Sequence, residues 1–193
     1  ALFCYWQNSS KSIAQSVWHT SPQADPALYE KAVSWTGLVN GWYNIVTFLS
    51  AFGLVWFAKR FSPKAVHFSC LVLAGLGFLI FPHIENKYLL FPAITGFGIG
   101  WASMMGIPYL MVVSNIPKER YGVYMGIVNM MIVIPMILQN ITFGYVLKNF
   151  LGNDPGKAIT LAGTFLLIAA GATLLMKPKK PAGEIVLTGG GGH

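Results

Sequence analysis

The stretch LLFPAITGFGIGWASMMGIPYLMVVSNIPKERYGVYMGIVNMMIVIPMILQNITFGYVL, residues 89–147, consists of two long apolar runs parted by the charged break Pro117-Lys118-Glu119-Arg120. No side chain from Leu89 to Ile116 is formally charged, and none from Tyr121 to Leu147. Each run exceeds the roughly 20 residues that a helix needs to cross a bilayer. A soluble fold can bury one such helix, but two in tandem joined by a basic turn require lipid. The stretch therefore reads as a membrane hairpin. Gly98, Ala102 and Gly106 recur every four residues on its first helix, and Gly122 and Gly126 open the second. Small-residue stripes of this kind let helix backbones approach closely in lipid, where no hydrophobic effect drives them together. Pro108 and Pro135 each remove one hydrogen bond of the helix ladder within a span.

Composition extends the same reading to the whole chain. Of the 193 residues 54% are hydrophobic and 10% charged, against about 25% charged in a soluble globular domain. The length suits six membrane helices. The net charge of +7 does not indicate a nucleic-acid partner, because the basic residues sit between apolar runs instead of forming one solvated face. Cys4 and Cys70 are far apart and form no CxxC, so neither a metal site nor a disulfide framework is implied. The chain opens inside an apolar run, Ala1-Leu-Phe-Cys-Tyr-Trp6, with no basic segment before it. That is not a signal peptide, and further sequence is expected upstream.

Taken in order, the expected helices are 1–18, 36–58, 65–81, 89–116, 121–147 and 158–176, forming one membrane unit over 1–180 with a disordered tail at 181–193. The first helix is the most polar. Gln7, Lys11 and Gln15 share one face with Asn8 beside them, opposite Ile13 and Val17. A lysine within a span usually faces a bundle interior or a water-filled cavity; the alternatives are that Lys11 snorkels or that this segment is not fully inserted. Residues 19–35, with two prolines and charges of both signs, read as a loop. In the second helix Asn40, Tyr43, Asn44 and Thr47 fall at i, i+3, i+4 and i+7 and make one polar stripe. Amides in lipid need partners, so the stripe faces protein or a cavity. Trp101, Ser103 and Tyr109 are the polar-capable residues of the fourth helix; Asn129, Met136 and Asn140 share a face of the fifth.

Charge asymmetry orients the bundle. One set of connections holds Lys59, Arg60, Lys64, Lys118, Arg120, Lys177, Lys179 and Lys180; the other holds Lys31, Lys87, Lys148 and Lys157, offset by Asp25, Glu30, Glu85 and Asp154. The positive-inside rule puts the first set, and with it the C-terminus, in the cytoplasm.

Catalytic chemistry finds no support. His19, His67, His83 and His193 are scattered, with no HExxH. Gly96-Phe-Gly98-Ile-Gly100 lacks the third glycine of a dinucleotide fingerprint and lies inside an apolar span. No cofactor and no enzymatic activity are expected.

Three sets of segments stand out: Phe3-Cys-Tyr-Trp6 with Val17-Trp18, Gly100-Trp-Ala102 with Ile107-Pro-Tyr109, and above all Ile116-Pro-Lys-Glu-Arg-Tyr-Gly-Val-Tyr-Met-Gly-Ile-Val-Asn129 followed by Ile134-Pro135. In these the chain resembles the C-terminal half of a major facilitator superfamily transporter, within it the glycoside and sucrose/maltose cation symporter group. Ala58-Lys-Arg-Phe-Ser-Pro-Lys64 departs from the superfamily's usual loop at Lys59, Ser62 and Pro63. The resemblance implies secondary active transport of a sugar by proton-coupled alternating access in a bacterial inner membrane. The partners implied are the substrate, the bilayer and a missing N-terminal six-helix half that completes the cavity. Neutral sugars are held by amides, hydroxyls and aromatic faces, and the residues expected to line the path are Gln7, Lys11, Asn40, Tyr43, Asn44, Trp101 and Asn129. The alternative is a six-helix scaffold or assembly partner that does not transport. None of the six expected spans holds an Asp or Glu. A coupling carboxylate is therefore expected upstream of Ala1, with Lys11 or a histidine as the substitute within this chain.

The orientation is testable with single cysteines and an impermeant thiol reagent in intact cells. Positions 24 and 153 should label from outside, and Ser62→Cys and Glu119→Cys should not. Labelling at position 62 would invert the assignment.

Overall fold

The structure is a computed structural model; it describes residues 2–113, 116 and 120–176, apart from the side chains of Val55, Lys59 and Val113. The expected tail at 181–193 and the charged break at 117–119 lie outside the described residues. Among the described residues six helices follow one another: α1 Leu2–Trp18, α2 Pro26–Arg60, α3 Pro63–Ile80, α4 Leu90–Val113, α5 Tyr121–Asn149 and α6 Pro155–Leu175. Short 3-10 turns at Phe81–His83 and Lys87–Leu89 link α3 to α4. Five of the helices, α2 to α6, are long and apolar enough to cross a membrane; α1, at 17 residues, is the shortest. The protein is an all-α integral membrane protein.

The largest correction to the expected boundaries concerns α2, which begins at Pro26 and not at 36, and runs for 35 residues. Asp25 accepts a hydrogen bond from the Leu28 amide at 3.0 Å, and Pro26 occupies the first turn, where its missing N–H costs nothing. Glu30 and Lys31 thus lie within the first two turns of a helix. The same device starts two more helices. Ser62 caps α3 through the Ala65 amide at 3.1 Å, and Asp154 caps α6 through the amides of Gly156 and Lys157 at 2.8 and 3.2 Å. Each of these caps is followed by proline. Accordingly α3 starts at Pro63 and α6 at Pro155, two and three residues ahead of the apolar runs that mark them in the sequence. At the other ends, α4 is described only to Val113 and α5 extends to Asn149.

The centre of the bundle is α3, which packs along α4 on one side and α6 on the other; α2 lies against α4, and α1 against α2 and α6. Glycine sets these distances. A Cβ on Gly77 would run into the Ala93 carbonyl, and one on Gly96 would meet the Leu73 carbonyl at 2.5 Å, so α3 and α4 touch backbone to backbone. On the α6 side a Cβ on Gly163 would sit 2.8 Å from the Gly75 carbonyl. Above this contact Tyr5, Phe78, Phe81 and Phe97 form a fully buried aromatic core. The Tyr5 and Phe78 rings stack at 4.9 Å, as do those of Phe78 and Phe97 at 4.7 Å.

The small-residue stripe of the hairpin is in close contact at only part of its length. Gly98 faces α2, where a Cβ would lie 2.8 Å from the Tyr43 carbonyl. Nothing lies within 4 Å of a Cβ placed on Gly106, Gly122 or Gly126. The second arm, α5, makes only a thin contact with α4, and Phe143 is its one buried residue.

Substitutions should separate the two kinds of glycine. Gly77→Ala and Gly163→Ala are expected to lower stability by about 1–3 kcal/mol through overpacking. Gly106→Ala and Gly126→Ala should leave it unchanged or raise it by up to about 1 kcal/mol through helix propensity. Thermal unfolding of the purified protein in nanodiscs reads both; an unshifted melting temperature for Gly77→Ala would contradict the close α3–α4 seam.

Candidate functional site

Helix α1 presents two faces. Cys4, Tyr5, Asn8, Ser9, Ser12 and Ile13 are buried, whereas Gln7, Lys11 and Gln15 are exposed. Asn8 therefore belongs to the packed side, not to the polar stripe, and its amide donates to the Cys4 carbonyl at 2.8 Å. Between the two faces stands Trp6, which is 37% exposed.

The consecutive residues Tyr5, Trp6 and Gln7 together reach three other helices. The Tyr5 hydroxyl donates to Asn40 Oδ1 on α2 at 2.8 Å. Trp6 Nε1 donates to the Tyr43 hydroxyl, also on α2, at 3.1 Å, and the Trp6 ring meets the Trp101 ring of α4 edge to face at 5.6 Å. Gln7 Nε2 donates to Asn140 Oδ1 on α5 at 3.1 Å, while Gln139 Nε2 donates to Gln7 Oε1 at 3.4 Å. One turn of α1 thus gathers α2, α4 and α5 around a patch of amides and aromatic edges. Tyr43 itself is buried and set edge-on to Phe97 at 5.0 Å. The carbonyl oxygen of Gln139 is buried and has no hydrogen-bond partner among the described residues.

Of the residues expected to line a path, Gln7, Asn40, Tyr43 and Trp101 come together in this patch. Asn44 is one turn along from Asn40 and exposed, with its amide donating to the Asn40 carbonyl at 2.8 Å. Lys11 is one turn beyond Gln7, exposed, and makes no hydrogen bond or ion pair among the described residues. Asn129 stands apart: it accepts from the Tyr109 hydroxyl at 2.7 Å, eight residues beyond Trp101 on α4 and so about 12 Å along the axis.

Four participants escaped the sequence reading, namely Tyr5, Trp6, Gln139 and Asn140. Asn140 was placed on a common face of α5 with Asn129, and the two turn out to serve different neighbours, α1 and α4. Tyr5 and Trp6 had no periodic signal of their own; the clue was their position directly before Gln7.

The arrangement suits noncovalent recognition. It offers amide donors and acceptors, two indole edges and a single nearby cation. Two concavities of about 550 and 500 Å³ lie elsewhere, the first between α3 and α4 beside Gly77 and Gly96, the second at the start of α2 beside Pro22 and Tyr29. Neither is lined by a residue of the patch. Among the described residues no group of three or more His, Cys, Asp or Glu is placed to hold a metal ion.

The family model of the Major Facilitator Superfamily matches residues 26–140, more than half of the 193 residues. No characterised protein and no solved structure matches the chain. With apolar helices of spanning length on one side and this match on the other, the chain belongs to the major facilitator superfamily, a family of membrane transport proteins.

Proposed function

We propose that the chain forms the C-terminal, substrate-binding half of a proton-coupled sugar symporter, and that Trp6, Gln7, Asn40, Tyr43 and Trp101 line the path of the sugar. The observation that carries this reading is the joining of an aromatic group, Trp6 with Trp101 and Tyr43, to an amide group, Gln7 with Asn140 and Gln139, on one face. A neutral sugar needs just these two things: apolar surfaces for its ring faces and paired donors and acceptors for its hydroxyls. The unpartnered Gln139 oxygen supplies an acceptor not already engaged within the protein.

On this reading an N-terminal six-helix half supplies the opposite wall, and Lys11, Asn44 and Asn129 border the path between the halves. The exposed apolar residues of α5, Met131 and Ile141 among them, face that half or lipid. The basic connections face the cytoplasm of a bacterial cell, with the transporter in its inner membrane.

The test is uptake by cells expressing the full-length transporter, with a panel of labelled mono- and disaccharides and one amino acid as the control. Trp101→Ala and Gln7→Leu should each reduce sugar uptake about 5- to 30-fold, the equivalent of about 1–2 kcal/mol of lost binding, with membrane abundance unchanged. Full activity in both variants would make the patch a packing feature. Uptake of the amino acid in place of the sugars would overturn the substrate class.

A further inference from the structure

Away from the patch, toward the end of the bundle where α2 turns into α3, one imidazole is enclosed between helices. His67 is 9% exposed and Ser103 fully buried, and His67 Nδ1 lies 2.8 Å from Ser103 Oγ across the α3–α4 seam. Cys70, one turn further along α3, is also within hydrogen-bonding reach of Ser103 and packs with Leu54, Ala102 and Ile107 in a small apolar cluster. The seam is tight here. A Cβ on Gly100 would sit 2.6 Å from Ala74 Cβ and 3.1 Å from the Cys70 carbonyl.

We infer that His67 and Ser103 form a proton-binding site within the membrane-spanning bundle. Neutral imidazole suits the pocket, because one ring nitrogen and the serine hydroxyl satisfy each other in either tautomer. An imidazolium would carry a second N–H and a full charge into apolar surroundings, so its formation draws water to the ring and separates α3 from α4 at this end. Among the described residues, α3, α4 and α6 hold no carboxylate within their spans to absorb that charge. Helix α4 has no charged residue from Leu90 to Val113, and its Tyr109 is engaged with Asn129. Helix α6 presents Thr173, and its one charged residue, Lys157, stands at the opposite end. Helix α2 ends with the cationic Arg60, set over the Trp56 ring at 5.5 Å. On α3 itself Lys64 is bound to the carbonyls of Leu174 and Met176 at 2.6 and 2.7 Å. Protonation of His67 thus opposes the close packing of α3 on α4. If the protein is the symporter proposed above, this seam is where a proton gradient acts within the chain; that coupling role rests on the transport reading, whereas proton binding does not.

Histidine-selective ¹⁵N NMR of the purified full-length protein in nanodiscs tests the site directly, with His67→Gln assigning its resonances. The His67 ring nitrogens should take up a proton as the pH is lowered, and Ser103→Ala, which removes only the hydroxyl, should move the midpoint by about half a pH unit or more. A ring that does not titrate, or a midpoint indifferent to Ser103→Ala, would overturn the proposal. Uptake measured against pH then tests the coupling. His67→Gln should flatten the wild-type profile, and an unchanged profile beside a normal NMR titration would remove the coupling role while leaving both the proton site and the transport reading in place.

Discussion

Everything in this bundle depends on backbone meeting backbone along α3. In lipid no hydrophobic effect drives helices together, so association relies on close packing and on polar contacts between side chains. The glycines at 75, 77, 96, 100 and 163 bring three helix backbones within contact distance. Only with that spacing do Phe78 and Phe97 stack on one another and enclose Tyr5. Tyr5 in turn holds the start of α1 in place, and the adjacent Trp6 and Gln7 are thereby aimed at α2, α4 and α5. The candidate site is a product of the α3 seam, although α3 contributes none of its residues.

Helix α5 is held differently. It buries almost nothing, and the bonds that fix it are amide and hydroxyl contacts: Gln7 with Asn140 and Gln139 at one level, Tyr109 with Asn129 at another. Such contacts can be exchanged for water or for a ligand's hydroxyls at little net cost, each being worth about 1 kcal/mol. A helix fixed in this way is suited to shift when something enters the patch it borders.

The existence and order of the helices were legible in the sequence because each apolar run was long and nearly free of charge. Boundaries were less so. Residues 26–35 carry Glu30 and Lys31 and read as loop, yet Asp25-Pro26 is a helix start, and a 35-residue helix is long enough for its first turns to stand outside the hydrocarbon. Faces were legible too, since Asn40 and Tyr43 fell on one stripe and met one neighbour. Partners were not. Periodicity says that Gly98 lies on a small-residue stripe and cannot say whether α2 or α5 fills it, nor does it distinguish Asn8, turned inward, from Gln7 beside it. That information resides in three-dimensional shape, which a one-dimensional repeat does not encode.

Lys64 has a double duty that bears on how the bundle deforms. Its ammonium is one of the basic groups counted in orienting the protein, and it also clasps the last carbonyls of α6, which no helix ladder satisfies. The beginning of α3 and the end of α6 are thereby riveted at a single membrane face, with no equivalent clasp described at the other. Relative tilting of these two helices must keep Lys64 within reach of both carbonyls or give up two charge-assisted hydrogen bonds. The aromatic core around Tyr5 lies at the opposite end of α3.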